Sequence, residues 1–158
     1  MSIFTHVAAA PVSKTKDAQH IALFYAGILV IMAVAQLFTF ESFLILVTTF
    51  DLPGGVQFAH FLTAFLIVCE VFALPFLLRM RLSRAFRSVS MICGWMAALI
   101  WVFLSSWLLL QTTSISNVGF LGTVVDILPG TWTVFMSIVF GVCAGWASWG
   151  MWPGRTHR

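Results

Sequence analysis

The chain has 158 residues, of which 61% are hydrophobic and 8% charged, and its net charge is +3. A soluble domain carries about 25% charged residues, so this chain cannot cover a water-facing surface and lipid is its expected solvent. Nucleic acid is excluded as a partner, because the basic residues lie at the ends of apolar runs rather than along one stripe.

The chain begins with a polar segment, residues 1–20, which we expect to be a flexible cytoplasmic tail. An apolar run from Ile21 to Leu37 follows and predicts the first membrane-spanning helix, because about 20 helical residues cross the hydrocarbon core. The next apolar run, Phe40 to Phe50, is too short to span. Its apolar residues fall on one helical face, which predicts an interfacial or re-entrant helix at the outer surface.

Three more apolar runs are long enough to span the membrane: Val56 to Leu78, Val89 to Leu110 and Thr131 to Met151. An outer loop with its own apolar patch, Gln111 to Gly130, precedes the last run. The sequence therefore predicts an all-α fold, an integral membrane four-helix bundle over residues 21–152 with short amphipathic outer segments. A short cytoplasmic tail, residues 153–158, ends the chain.

The distribution of positive charge predicts the orientation. All eight Lys and Arg residues fall on one side: two before the first span, four between the second and third, and two after the fourth. By the positive-inside rule, both termini are cytoplasmic. The four arginines of the inner loop are expected to anchor the inner surface, and anionic lipid is a further candidate ligand for them. They are Arg79, Arg81, Arg84 and Arg87.

Glu70 is the only acidic residue within a predicted span. A charged side chain in lipid costs on the order of several kcal/mol, so Glu70 is expected to face the bundle interior. It could contact a proton, a quinone or another ligand, or it could be a protonated acid that joins helices by hydrogen bonds. Pro75 cannot donate to the carbonyl of Val71, which predicts a kink close to Glu70.

Depth along the helices predicts a small polar pocket around Glu70. Cys69, Cys93 and Cys143 fall within about two helical turns of it, and Tyr25 and Trp95 lie at a similar level. If they face one another, they line this pocket in the inner half of the bundle. The alternative is that the cysteines are small buried hydrophobic residues, since none forms a Cys-x-x-Cys pair.

Gly141 and Gly145 form a Gly-x-x-x-Gly step in the fourth span. This step predicts close helix packing, either inside the bundle or between subunits. The sequence has no Ser-His-Asp set, no His-rich metal cluster and no Gly-rich phosphate loop. It therefore predicts no catalytic residue and no metal site, and it favours a protein that is not an enzyme.

Three parts of the sequence resemble the DoxX and MauE-like membrane proteins. They are residues 35–43 (AQLFTFESF), the following run to Asp51-Leu52-Pro53-Gly54, and the in-span acid of Val68-Cys69-Glu70-Val71. The resemblance covers residues 21–110 and includes an arginine-bearing inner loop. It implies a prokaryotic cell membrane and an association with quinone-dependent redox chains or with the maturation of disulfide-bearing partners. It does not imply catalysis by this chain.

Gln36 departs from that family, which often has a basic residue near the end of the first helix. A charged pair with Glu70 is then not available. Straight helices also place Gln36 nearer the outer face than Glu70, which predicts that the two side chains do not touch.

Three functions remain open from the sequence. The first is a DoxX-like accessory or redox-associated membrane protein, with Glu70 as its working polar group and a quinone as candidate cofactor. The second is a structural or assembly subunit that binds other membrane subunits or a second copy of itself through its helix faces. The third, a small transporter or channel, is disfavoured because a single intramembrane charge makes a poor solute pathway.

Overall fold

The computed structural model describes residues 14–111 and 115–151, and these residues form an all-α fold of five helices. The helices are α1 (Lys16–Phe38), α2 (Phe40–Thr48), α3 (Gly55–Leu77), α4 (Arg84–Leu110) and α5 (Thr131–Met151). All except α2 are long and apolar enough to cross a membrane. The predicted four-helix membrane bundle is thereby confirmed. The predicted C-terminal tail lies outside the described residues.

The four long helices form a ring in which α3 packs between α1 and α4, and α5 closes the ring between α4 and α1. Neighbours in the ring are antiparallel. The arginine end of the bundle carries residues 78–83, which join α3 to α4. The opposite, cap end carries α2 and the described part of the α4–α5 loop, residues 111 and 115–130.

Two helices begin earlier than predicted. α1 begins at Lys16 because the Thr15 side chain accepts a hydrogen bond from the backbone N–H of Ala18. α4 begins at Arg84 because Ser83 caps it in the same way. Such polar caps extend a helix beyond its apolar run. Residues 16–20, assigned to the tail from sequence, are therefore helical.

Helix α2 presents the predicted apolar face. Phe43 and Val47 are buried, whereas Glu41 and Ile45 on the other side are exposed. The buried face packs mainly against α3. The short run after α1 is thus a covering element of the bundle rather than a fifth span.

Pro75 lies inside α3, where it leaves the carbonyl of Val71 without its usual helical donor. At the next residue the backbone N–H of Phe76 donates to Ser90 Oγ of α4 over 3.0 Å. The same hydroxyl donates to the carbonyl oxygen of Phe72 over 2.6 Å. A buried hydroxyl of α4 therefore bridges the backbone of α3 beside the proline.

We expect Ser90→Ala to lower the free energy of unfolding by about 1–3 kcal/mol, because it leaves a buried backbone N–H and a partly buried carbonyl of α3 without this bridge. Ser88→Ala is the matched control, since its hydroxyl donates to Arg84 at an exposed site of the same helix. Unfolding in mixed micelles, titrated with SDS and followed by circular dichroism, measures both. Equal stability of the two variants would show that the bridge does not support α3.

Arg79 ends α3 in a left-handed backbone conformation, with φ of 56°. The backbone N–H of Met80 reaches back to the carbonyl of Pro75 over 3.0 Å, which is the hydrogen bond of a Schellman cap. Arg79 Nη1 also donates to Gln19 Oε1 over 2.9 Å, which ties this turn to α1. Arg81 and Arg84 are exposed at the arginine end, and Arg87 is half-buried.

Candidate functional site

Three helices meet at one carboxyl oxygen in the centre of the bundle. Glu70 Oε1 accepts a hydrogen bond of 2.8 Å from Trp101 Nε1 and one of 3.4 Å from Gln36 Nε2. All three side chains are fully buried. We call Glu70, Gln36 and Trp101 the carboxyl–amide site. Both donors are neutral groups, so the site contains an acid held by an amide and an indole.

A second hydrogen bond fixes the orientation of the Gln36 amide. Gln36 Nε2 also donates to the backbone carbonyl of Phe120 over 3.1 Å. A carbonyl oxygen can only accept, so the nitrogen of the amide must face Phe120 and its oxygen must point elsewhere. Gln36 Oε1 is therefore a defined acceptor.

The contact between Gln36 and Glu70 corrects the sequence prediction that these side chains do not touch. Helical side chains lean toward the N-terminus of their own helix. Because α1 and α3 are antiparallel, Gln36 leans toward the arginine end and Glu70 toward the cap end. The two side chains thus meet, although their backbones lie at different depths along the bundle.

Two oxygen atoms of the site are buried without a hydrogen-bond partner in the part of the chain that the structure describes: Glu70 Oε2 and Gln36 Oε1. We call them the open oxygens. A buried polar atom left unpaired costs about 1–3 kcal/mol, so such atoms require an explanation. Gln36 Oε1 can only accept a hydrogen bond, whatever the protonation state of Glu70. The site therefore has an unused acceptor that a hydrogen-bond donor could pair with.

The α4–α5 loop covers this site through Phe120. The Phe120 ring lies 4.6 Å from the Trp101 ring and 5.8 Å from the Phe140 ring, between centroids. Asn117 organises the loop: its Nδ2 donates to the carbonyl of Gly122 over 3.1 Å, and its Oδ1 accepts from the N–H of Gly119 over 2.8 Å. The segment predicted as an outer loop is therefore a folded cap.

The loop docks on α1 next to Gln36. The backbone N–H of Thr123 donates to Thr39 Oγ1 over 3.2 Å. At Gly122, where φ is 59°, a Cβ atom would meet Thr39 Oγ1 and would lie 3.2 Å from Gln36 Cα. Only glycine allows the loop to come this close, so the approach that presents Phe120 to Gln36 depends on Gly122.

An apolar cavity of about 290 Å³ lies between α1, α5 and the α4–α5 loop. Its lining is aliphatic, aromatic or thioether and includes Ile28, Met32, Phe120, Ile127, Met136 and Phe140. Ile31 and Trp132, also in its wall, are 62% and 64% exposed, so the cavity opens on the flank of the bundle. We call it the flank cavity. Met32 lies one helical turn from Gln36 on α1, and Phe120 is common to the cavity and the site.

Of the side chains of the predicted polar pocket, Tyr25 has a hydrogen-bond partner outside it, and a pocket formed with the three cysteines stays a prediction. Tyr25 OH is buried and donates to the carbonyl of Gly94 over 3.0 Å. Cys69 and Cys143 are buried, Cys93 is partly buried, and all three are free thiols. The hydrogen bonds of Glu70 come from Gln36 and Trp101, on α1 and α4.

Sequence reasoning missed Trp101, although a signal was present. Trp101 lies in the middle of an apolar span, where a buried indole N–H needs an acceptor. Glu70 is the only acid inside a span predicted from the sequence and is the natural partner for that donor. The pair could therefore have been proposed from residue type and depth.

The two glycines of the Gly-x-x-x-Gly step have different surroundings. A Cβ atom at Gly145 would lie 3.4 Å from the Trp95 ring, so this glycine packs within the chain. Gly141 faces open space. A contact between subunits at Gly141 stays a prediction.

Within residues 14–111 and 115–151, no group of three or more His, Cys, Asp or Glu side chains is placed to hold a metal ion. Comparison with protein-family models, with curated proteins and with solved structures finds no match to this chain. The carboxyl–amide site and the flank cavity are therefore the features of the structure that bear on function.

Proposed function

We propose that this four-helix membrane protein is a DoxX-like, redox-associated accessory component that binds a quinone at the carboxyl–amide site. The observation that carries the proposal is the pair of open oxygens, Glu70 Oε2 and Gln36 Oε1. A bundle built only for stability gains nothing from unpaired buried acceptors. A head group that donates hydrogen bonds, such as the hydroxyls of a quinone's reduced form, would give these atoms their partners.

The flank cavity supports a lipophilic ligand. Its volume of about 290 Å³ is at the lower end of the range of small-molecule pockets. It opens on a flank of the bundle that faces lipid, and it reaches Phe120, whose carbonyl holds Gln36. A molecule with an apolar tail and a polar ring could enter from the bilayer and place the ring near Glu70.

The redox association is supported by the resemblance of residues 35–54 and 68–71 to the DoxX and MauE-like proteins. The groups that bond Glu70 are an amide and an indole, which bind and orient a ligand and carry no electrons themselves. The proposed role is accordingly to hold a quinone for a partner in a prokaryotic cell membrane, with both termini of this chain in the cytoplasm.

Glu70→Gln tests the proposal. This change replaces the open acceptor Oε2 with an amide N–H₂ donor and keeps the acceptor that Trp101 binds. The protein is purified in mild detergent from a membrane that contains ubiquinone, and the quinone that co-purifies is quantified by mass spectrometry. The amide nitrogen cannot accept a hydrogen bond from a hydroxyl of the reduced ligand, so we expect about tenfold less ubiquinone and ubiquinol together in the variant, the effect of about 1.4 kcal/mol, and no loss of thermal stability.

Glu41→Gln is the matched control, because Glu41 is an exposed acid on α2. It should retain the wild-type quinone content. Absence of quinone from the wild-type protein, or equal quinone in Glu70→Gln, would contradict the proposal. A fall in quinone together with a fall in thermal stability would instead assign Glu70 to holding the helices together.

A further inference from the structure

We propose that the carboxyl–amide site selects the reduced, hydroxyl-bearing quinol over the quinone, and that the tail of this ligand lies in the flank cavity. This inference rests on the proposed function and specifies its ligand. It follows from the hydrogen-bonding capacity of two named atoms and from the position of the cavity, which shares Phe120 with the site.

Gln36 Oε1 is the first atom that favours the quinol. The bond from Gln36 Nε2 to the carbonyl of Phe120 fixes the amide, so Oε1 is an acceptor in every state of the protein. A quinone carbonyl is also only an acceptor and cannot pair with it. A quinol hydroxyl donates, and it can do so to Gln36 Oε1 regardless of the proton on Glu70.

Glu70 Oε2 strengthens the same preference. As a carboxylate oxygen it accepts a hydrogen bond from the second hydroxyl of the bound quinol. As a protonated oxygen it donates a hydrogen bond to that hydroxyl's oxygen. A quinol can form a hydrogen bond with Glu70 Oε2 in both cases, whereas a quinone can do so only when Glu70 is protonated. The open oxygens together therefore favour the donor-bearing form.

The position of the tail follows from the elements that the site and the cavity share. Met32 lies one turn below Gln36 on α1 and lines the flank cavity. Phe120 lines the cavity with its ring and holds Gln36 with its carbonyl. A ring bound at the open oxygens therefore has its tail beside Phe120, in the cavity between α1 and α5. Entry of the ring requires the Phe120 ring to turn away from Trp101.

This selectivity has a consequence for redox chemistry. If the quinol binds tenfold more tightly than the quinone, the reduction potential of the bound couple rises by about 30 mV. The bound quinone then accepts electrons more readily than the quinone in the surrounding membrane. The site suits a partner that reduces the quinone.

The test measures the affinity of the wild-type protein in detergent for three probes under anaerobic conditions. They are decylubiquinone, its quinol, and the quinol with both hydroxyls methylated. We expect the quinol to bind roughly tenfold more tightly than the other two. In Gln36→Met, which removes the fixed acceptor, the preference should fall to about twofold or less, since that difference is only ~0.4 kcal/mol.

The tail is tested with Met136→Trp, which fills the flank cavity, and with Ile138→Trp on the exposed side of the same helix. Met136→Trp should weaken the binding of the decyl quinol roughly tenfold and leave the affinity for the tail-less quinol unchanged. Ile138→Trp should change neither affinity.

The outcomes separate the two proposals. If no probe binds the wild-type protein, the proposed function fails. If the quinone and the quinol bind equally and both require Glu70, the function stands and the selectivity is overturned. If Met136→Trp binds the decyl quinol as the wild type does, the tail lies elsewhere and that part of the inference is overturned.

Discussion

Gly150→Ala is expected to lower the free energy of unfolding by about 1–3 kcal/mol, the usual range for forcing extra atoms into a packed interior. A Cβ atom at Gly150 would collide with the Cβ of Ala18, where α5 crosses α1 at the arginine end. Both residues are buried, and the backbone N–H of Lys14 donates to the carbonyl of Gly150 over 2.9 Å. Neither helix can accept the methyl group without moving.

Gly141→Ala provides a matched control on the same helix. Beyond the adjoining backbone of its own helix, no described atom lies within 4 Å of the position where its Cβ would stand. Because alanine favours a helix over glycine by up to about 1 kcal/mol, this variant should be as stable as the wild type or more stable. Both proteins are unfolded with SDS in mixed micelles and followed by circular dichroism. Equal stability of the two alanine variants would show that α1 and α5 do not meet closely at Gly150.

Gly150→Ala also separates an effect on stability from an effect on ligand binding. Gly150 lies at the arginine end, whereas the flank cavity is lined by α1 and α5 residues nearer the cap end, such as Met32 and Met136. Gly150→Ala should therefore lose stability and keep its affinity for the quinol. A joint loss would show that the packing of α1 on α5 controls the cavity as well.

Hydropathy predicted the four spans because lipid imposes a simple requirement. Every residue that faces the hydrocarbon must be apolar over the full length of a helix, and that pattern is visible in the sequence. The buried face of α2, with Phe43 and Val47, followed from helical spacing for the same reason. The starts of α1 and α4 were missed because Thr15 and Ser83 act through local hydrogen bonds that hydropathy does not register.

The carboxyl–amide site was only half predicted. The isolated acid Glu70 was conspicuous because a carboxyl group in a span is costly. Its partners were not, because counting residues from the helix ends compares backbone depths and ignores the lean of the side chains. Phe120 could not be found at all by such counting, since its carbonyl reaches Gln36 through a loop that is folded around Asn117.

A double-mutant cycle on Glu70 and Trp101 distinguishes a structural acid from a functional one. Glu70→Leu leaves the buried Trp101 N–H without its acceptor, and Trp101→Phe takes from Glu70 Oε1 its 2.8 Å donor. Each single change should lower the free energy of unfolding by about 1–3 kcal/mol. The double variant removes both polar partners at once, so it should lose less than the sum, with a coupling of about 0.5–3 kcal/mol.

The quinone content of the double variant completes the argument. Replacing both members of a buried polar pair with apolar groups can be nearly neutral for stability. If Glu70→Leu with Trp101→Phe folds close to wild-type stability and yet co-purifies without quinone, the bundle does not need its acid, whereas the ligand does. If the single effects simply add, the hydrogen bond from Trp101 does not couple the two side chains. Glu70 would then have Gln36 as its remaining donor in the site, which would lose one of its three members.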